Sequence, residues 1–289
     1  MSAVDKASSP AGRGHRIWAK FRRNPAALAG GVIVLLFVLA AVFAPLLATH
    51  DPFQTSFMTV RKPPSAQFWL GSDELGRDIY TRMLYGARAS LMAGVVSVLI
   101  ALVVGVPFGL AAGYFGGWTD SAISRATEAL LAIPFLILAI ALAAFLGPSL
   151  TNAMIAIGLS AAPIFIRLTR GQVMAVKNED YVQSARALGA SDAHIIFAHV
   201  LPNVMPPLIV QATITIATAI IAEASLSFLG LGLQPPNPSW GSMLNTAKNF
   251  MAQAPWMSLF PGGAIFLVVL GFNLLGDGLR DALDPRQEA

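Results

Sequence analysis

Cysteine is absent from the 289 residues, and charge is scarce, with Asp, Glu, Lys and Arg together making up 12% of the chain. The missing thiols exclude a disulfide framework, thiolate catalysis and any Cys-ligated metal or cluster. An ordinary soluble domain is about 25% charged. That shortage, beside 55% hydrophobic residues, argues that lipid is part of the solvent. No Gly-Lys dipeptide occurs, so there is no phosphate-binding Walker loop and no ATP hydrolysis by that route. His-Glu-x-x-His is also missing. Ser160 follows Gly158 and Leu159 but precedes Ala161, which leaves a Gly-x-Ser-Gly nucleophile motif incomplete. Asp277 stands between Gly276 and Gly278, yet Leu274 occupies the position two before Gly276, and the intramembrane aspartyl protease pattern fails. Neither a catalytic residue nor a metal-ligand set results.

What is present is apolar sequence in long runs. Stretches free of Asp, Glu, Lys and Arg run from Ala26 to Thr49, Ala89 to Thr119, Ala129 to Ile166, Val200 to Ala222 and Leu226 to Ala247. A hydrocarbon core of roughly 30 Å takes about 20 helical residues. The Ala129–Ile166 run is too long for one crossing and holds Gly147 and Pro148 in its middle, so it is divided into two antiparallel spans. In the last region Gly230 to Pro238 is rich in Gly and Pro, and only Pro255 to Leu275 reads as a continuous span. The expected fold is an all-α membrane protein with about six transmembrane helices. The N-terminal run exceeds the 7 to 15 residues of a signal-peptide core, and is read as a retained first span over 26–48.

Orientation follows from Lys and Arg, which accumulate in cytoplasmic loops. With the N-terminus inside, 13 basic residues fall on the inner side and six on the outer, which places both termini in the cytoplasm. The pI of about 9.7 then reflects membrane orientation, and no basic folded domain supports nucleic-acid binding.

Between the spans lie distinct pieces. Residues 1–25 form a polar cytoplasmic tail, disordered until Ile17, Trp18 and Phe21 reach the interface, and 281–289 a second tail. The extracytoplasmic segment 49–86 carries Pro63, Pro64, Gly71 and Gly76. From Asp78 onward Ile79, Met83, Leu84, Ala87 and Leu91 recur at helical spacing, which predicts an amphipathic surface helix before span two. The core 87–280 contains a cytoplasmic loop over 170–201. There Tyr181, Val182, Ala185 and Leu188 share one helical face, Gly189 ends that helix, and Ser191 caps the next. Ala193, Ile196, Phe197 and Val200 share a face of this second short helix, which Pro202 is expected to stop. Helices so short are marginal alone, so they pack either on this chain's own spans or on a partner.

The loop carries a resemblance. Gln183, Ser184, Ala185, three residues, Gly189, and then Leu201 and Pro202 match the spacing that defines permease subunits of binding-protein-dependent ABC importers. The usual Glu-Ala-Ala start is replaced here by Gln183, Ser184 and Ala185. Outside the loop, Gly71 to Asp78, Ala224 to Gly232 with Pro235, Trp240 and Gly241, and Phe272 to Asp281 with Asp284-Pro285 resemble the second, C-type permease subunit of dipeptide, oligopeptide, glutathione and nickel importers. The resemblance implies a type I ABC importer transmembrane domain in the bacterial inner membrane, forming half of a translocation pore. It further implies a homologous second permease, two ATP-binding subunits that hold the ATP and Mg, and an extracytoplasmic solute-binding protein. This chain itself then carries no cofactor. Coupling through 179–202 falls to Gln183, Ser184, Ala185, Gly189, Ser191, Asp192, His194, Ile195, Phe197, Leu201 and Pro202. Asp73, Glu74, Gly76, Arg77, Asp78 and Trp240 form an outer motif, suited to local salt bridges, to docking of the binding protein or to gating. Asn152, Gln211, Thr215 and Thr218 are candidate pore-lining residues.

Two other classes remain as alternatives. An ion-coupled secondary transporter needs an ionisable residue deep in a span, and Glu128 and Glu223 are the candidates, both placed near span ends where a carboxylate reaches headgroups or caps the bundle. An intramembrane enzyme has no motif in its favour.

Overall fold

The structure, a computed structural model, describes residues 18–283. Most of the polar N-terminal tail and the Asp284-Pro285 pair lie outside the described residues, though 18–23 are helical and Trp18 stacks on Phe21 at 6.0 Å between ring centroids. Regular structure among these residues is helical, with one isolated bridge between Ser72 and Asp78.

Five helices are long and apolar enough to cross a membrane: α1 (Pro25–Val42), α2 (Ile79–Phe115), α5 (Leu150–Val176), α7 (Asp192–Phe228) and α9 (Trp256–Leu283). The expected third span is instead broken. Gly117–Leu131 (α3) and Phe135–Leu146 (α4) meet at 92°, and they give a sixth crossing only if the bent pair is one span. Pro134 causes the break, because its ring removes an amide donor and pushes Ile133 out of the helical region. Shorter helices include α6 (Asp180–Ala187) and α8 (Trp240–Ala247). The start of α1, the end of α9 and the α2–α3 and α5–α7 connections share one face of the bundle, the terminal face. Segments 43–78 and 229–255 and the α4–α5 turn form the opposite loop face.

The predicted surface helix at Asp78 is not a separate element. It is the first part of α2, whose 37 residues rise about 55 Å, well beyond a core of roughly 30 Å. Asp78 caps it by accepting from the Thr81 amide. The protruding turns are buried against protein, since Ile79 packs with Met243, Ala247, Ala254 and Met257 from the loop face.

Small residues set the closest helix contacts. Gly105, Gly109 and Gly113 recur every four residues along α2 and face α5. A Cβ at these positions would stand 2.6 Å from Phe165 Cβ, 2.5 Å from Thr169 Cβ and 2.8 Å from Val173 Cβ. With little hydrophobic drive between helices in lipid, such close backbone approach supplies dispersion contacts instead. At the bundle edge α1 lies against α9, where a Cβ on Gly30 would come 2.6 Å from the Gly271 carbonyl. Asn24 caps α1 through the amides of Ala26 and Ala27, and its Nδ2 donates to Asp281 at 3.2 Å.

Pro202 does not stop a second short helix. Asp192–Phe228 is a single helical run, with Ile195–Val200 wound as a π-helix just before Pro202. A proline removes one amide donor and crowds the carbonyl four residues back, here Ala198, inside the widened turn. Such π turns are rare and occur mostly as single turns within α-helices.

Candidate functional site

At the terminal face, α6 and α7 meet at Gly189. Its φ of +83° ends α6 in the left-handed conformation, with the Gly189 amide donating to the Arg186 carbonyl and the Ala190 amide to the Ala185 carbonyl. This pair of bonds is the Schellman arrangement, which favours glycine at its left-handed position. Ser191 then caps α7 by accepting from the His194 amide at 3.3 Å.

The two predicted apolar faces are each divided. On α6 Val182 is buried and Ala185 half-buried, while Tyr181 and Leu188 are exposed, Leu188 by 88%. On α7 Ile195 and Val200 are buried and Leu201 half-buried, whereas Ala193 and Phe197 are exposed, Phe197 by 67%. The π turn explains the second division: a pattern read at 3.6 residues per turn picks the wrong face where the helix is wider. Gln183 and Ser184 are exposed, and Gln183 Nε2 donates to the Lys177 carbonyl at 2.9 Å. The rings of His194 and His199 meet edge to face at 5.5 Å.

The outer motif is brought together, and it is turned inward. Arg77 donates through Nε to Asp73 and through Nη2 to Glu74, each at 2.6 Å, and Arg82 approaches Asp73 at 3.4 Å. Asp73, Arg77, Asp78 and Arg82 are all buried, so these are not the exposed ion pairs that stabilise by only about 0–1 kcal/mol. Burial, with Asp73 beside it, raises the Glu74 carboxyl above the ordinary glutamate value despite the pull of Arg77. Gly76 takes a φ of +74° with its Cβ position against the Ser56 backbone, a turn suited only to glycine. Asp78 also accepts from Thr49 at 3.1 Å, and Arg82 reaches the carbonyls of Pro52 and Pro236. The motif therefore ties segment 49–78 to α2 and to the 229–239 connection.

Trp240 and Glu223 are both fully buried. The Trp240 indole donates to the Met83 carbonyl at 3.2 Å and its ring meets Phe37 edge-on at 5.6 Å. Glu223 neither reaches headgroups nor caps the bundle at its surface. It accepts from Ser90 at 3.0 Å and from Ser227 at 2.7 Å, and Ser90 in turn accepts from the Trp240 amide at 3.4 Å. This network joins α2, α7 and α8. Its sequence signal was local, a serine one turn after Glu223, but the Ser90 partner lies 133 residues away. Glu128 is exposed on α3.

The four pore candidates do not share one surface. Asn152 closes the α4–α5 turn by donating to the carbonyls of Leu146 and Gly147. Gln211 lines a cavity of about 510 Å³ at the terminal face, with Gln172, Pro206, Pro207 and Arg280. Thr215 sits behind it, buried and bonded to Gln211, and Thr218 faces outward elsewhere on α7.

Residues 105–289 match the binding-protein-dependent transport system inner membrane component family, and residues 12–64 match the N-terminal TM domain of oligopeptide transport permease C. The dipeptide transport system permease protein of Alkalihalophilus pseudofirmus is 49% identical over 270 residues, covering 93% of this chain and 89% of that protein. A glutathione transport system permease protein of Escherichia coli is 46% identical over 273 residues, covering 94% and 90%. Inward-facing structures of the MetNI methionine ABC transporter share the fold, one with a TM-score of 0.57 at 22% identity over 69% of this chain and 94% of that one. By fold and by identity along nearly its whole length, the chain belongs to the binding-protein-dependent transport system inner membrane component family, as a C-type permease subunit of an ABC importer.

Proposed function

We propose that this chain forms half of a peptide-class translocation pore in the inner membrane, with both termini in the cytoplasm, and that two cytoplasmic ATPase subunits drive it through the α6–Gly189–α7 turn. The observation that carries this reading is the apolar surface around that turn. Tyr181, Leu188 and Phe197 are exposed on the terminal face, in a chain without a Walker loop. A protein partner at that surface removes the cost of leaving it in water. Closure of the ATPases moves the turn, and α7, being one helical run from Asp192 to Phe228, carries the displacement to the Glu223 end. A homologous second permease supplies the other half of the pore, and an extracytoplasmic binding protein delivers the cargo at the loop face. Di- and oligopeptides and glutathione are the candidate cargoes, by analogy with the relatives. ATP and Mg reside in the partner subunits.

The test is reconstitution of the chain in proteoliposomes with its second permease, ATPases and binding protein. Labelled dipeptide, tetrapeptide and glutathione should be imported only with ATP. Uptake that follows a proton gradient and persists without any ATPase subunit would replace this reading with secondary transport.

A further inference from the structure

The connection from α5 through α6 into α7 is clamped at three places to one spot, the last residues of α2, and two of the three flank the α6–α7 turn. Lys177, where α5 ends, donates through Nζ to the Gly113 carbonyl at 2.7 Å. Arg186, in the last turn of α6, donates through Nη2 to the Tyr114 hydroxyl at 3.2 Å and lies over its ring at 5.6 Å. Asp192, the first residue of α7, accepts the Tyr114 hydroxyl proton through Oδ1 at 2.6 Å. Tyr114 is buried, whereas Arg186 and Asp192 are exposed, so the hydroxyl is the fixed member and the loop residues close upon it.

What lies behind Tyr114 gives this contact mechanical meaning. Gly113 is the last of the three glycines that press α2 onto α5, so the anchor stands on the most extensively packed helix pair among the described residues. Ser90, on the same helix 24 residues earlier and about 36 Å away, holds Glu223 and the Trp240 amide. One rod thus bears the loop at one end and the buried polar network of the loop face at the other.

We propose that Tyr114 is the positioning residue that fixes the coupling turn to the α2–α5 pair, so that displacement of the turn moves α2 and α5 together with α7. Without it Asp192 and Arg186 lose their shared partner, and what still holds the turn is the Lys177–Gly113 bond, the buried side chains of Val182 and Ile195, and the backbone into α5 and α7. This inference rests on the ATP-driven reading above.

The experiment uses the full reconstituted complex and whichever of radiolabelled dialanine or glutathione the wild type imports, with uptake and ATP hydrolysis measured together. Tyr114→Phe keeps the ring and removes the hydroxyl. It should leave assembly and ATP hydrolysis in place and lower cargo imported per ATP by about tenfold, the shift that one hydrogen bond to a charged group makes in an equilibrium. Asp192→Ala should reproduce that loss, and Asp192→Asn should largely retain coupling because its amide oxygen still accepts from Tyr114. The Tyr114→Phe/Asp192→Ala double variant should be no worse than either single change. Wild-type import per ATP in Tyr114→Phe, additive losses in the double variant, or equal failure of the Asn and Ala variants overturns the proposal. If Tyr114→Phe does not assemble, the contrast at exposed Asp192 decides alone. A wild-type complex that shows no ATP-dependent import refutes the functional reading instead.

Discussion

Gly189 offers the sharpest test of how the coupling turn works, because its environment separates backbone strain from side-chain volume. Its φ is +83°, and a Cβ built there meets nothing within 4 Å. Any penalty for a larger residue therefore arises from the left-handed backbone. That conformation costs an ordinary L-residue about 1–2 kcal/mol, and a β-branched residue resists it most. Asparagine visits it far more readily. One to two kcal/mol corresponds to a factor of roughly 5–30 in the population of the native turn. The expected order of ATP-dependent uptake in proteoliposomes is Gly189, then Asn, then Ala, then Val, with Gly189→Val reduced roughly 5–30-fold. Membrane insertion, followed by quantitative immunoblot of the chain, should stay constant, since the Schellman bonds involve only the end of α6. Normal transport by Gly189→Val refutes the requirement for a left-handed turn. Equal impairment by Asn and Val refutes the backbone argument in another way, because it means that any side chain at this site obstructs something.

Three further outcomes follow from the packing. Gly109→Leu must separate α2 from α5, where a Cβ alone would lie 2.5 Å from Thr169 Cβ and 2.7 Å from the Ile166 carbonyl. Overpacking of this kind costs about 1–3 kcal/mol, visible as a lowered unfolding temperature in detergent, while Gly171→Ala, with open space around it, should be neutral. Glu223→Ala leaves Ser90 and Ser227 without their shared acceptor and should lower stability by about 1.5–3 kcal/mol. Glu223→Gln retains an acceptor oxygen and should lose less in the same melt. Arg77→Ala leaves Asp73 and Glu74 without their 2.6 Å partner in a buried cluster, a change worth about 3–5 kcal/mol. Limited proteolysis from the loop face should then cut within 49–78, and an unchanged digestion pattern would show that the cluster does not hold this segment.

Composition and patterning already specified much of this protein. Apolar runs fixed the spans, because lipid tolerates few charges and each run had to be long enough to cross. Gly189 and Ser191 were legible as a helix stop and start, since a left-handed turn and an N-cap depend on local backbone chemistry that nearby sequence supplies. The local rules failed where a neighbour intervened. Asp78 opens a helix that reads as a surface element, yet its first turns are buried by Met243, Ala247 and Met257, residues more than 160 positions away. The face of Ala193, Ile196, Phe197 and Val200 assumed a 3.6-residue period, which the π turn at Ile195–Val200 changed, while the Pro202 stop assumed that a proline ends a helix that in fact continues through it. The charges of the outer motif were legible as partners for local salt bridges, but nothing in Gly71–Asp78 shows what buries them. Glu223 and Tyr114 carry the same lesson from inside the bundle, where their partners Ser90 and Asp192 lie 133 and 78 residues away. The sequence by itself determined the number of apolar runs, the glycine hinge and the family, because these depend on residues close together along the chain. Only the tertiary structure decided which charges are buried and what anchors the coupling turn, because each depends on contacts between distant helices.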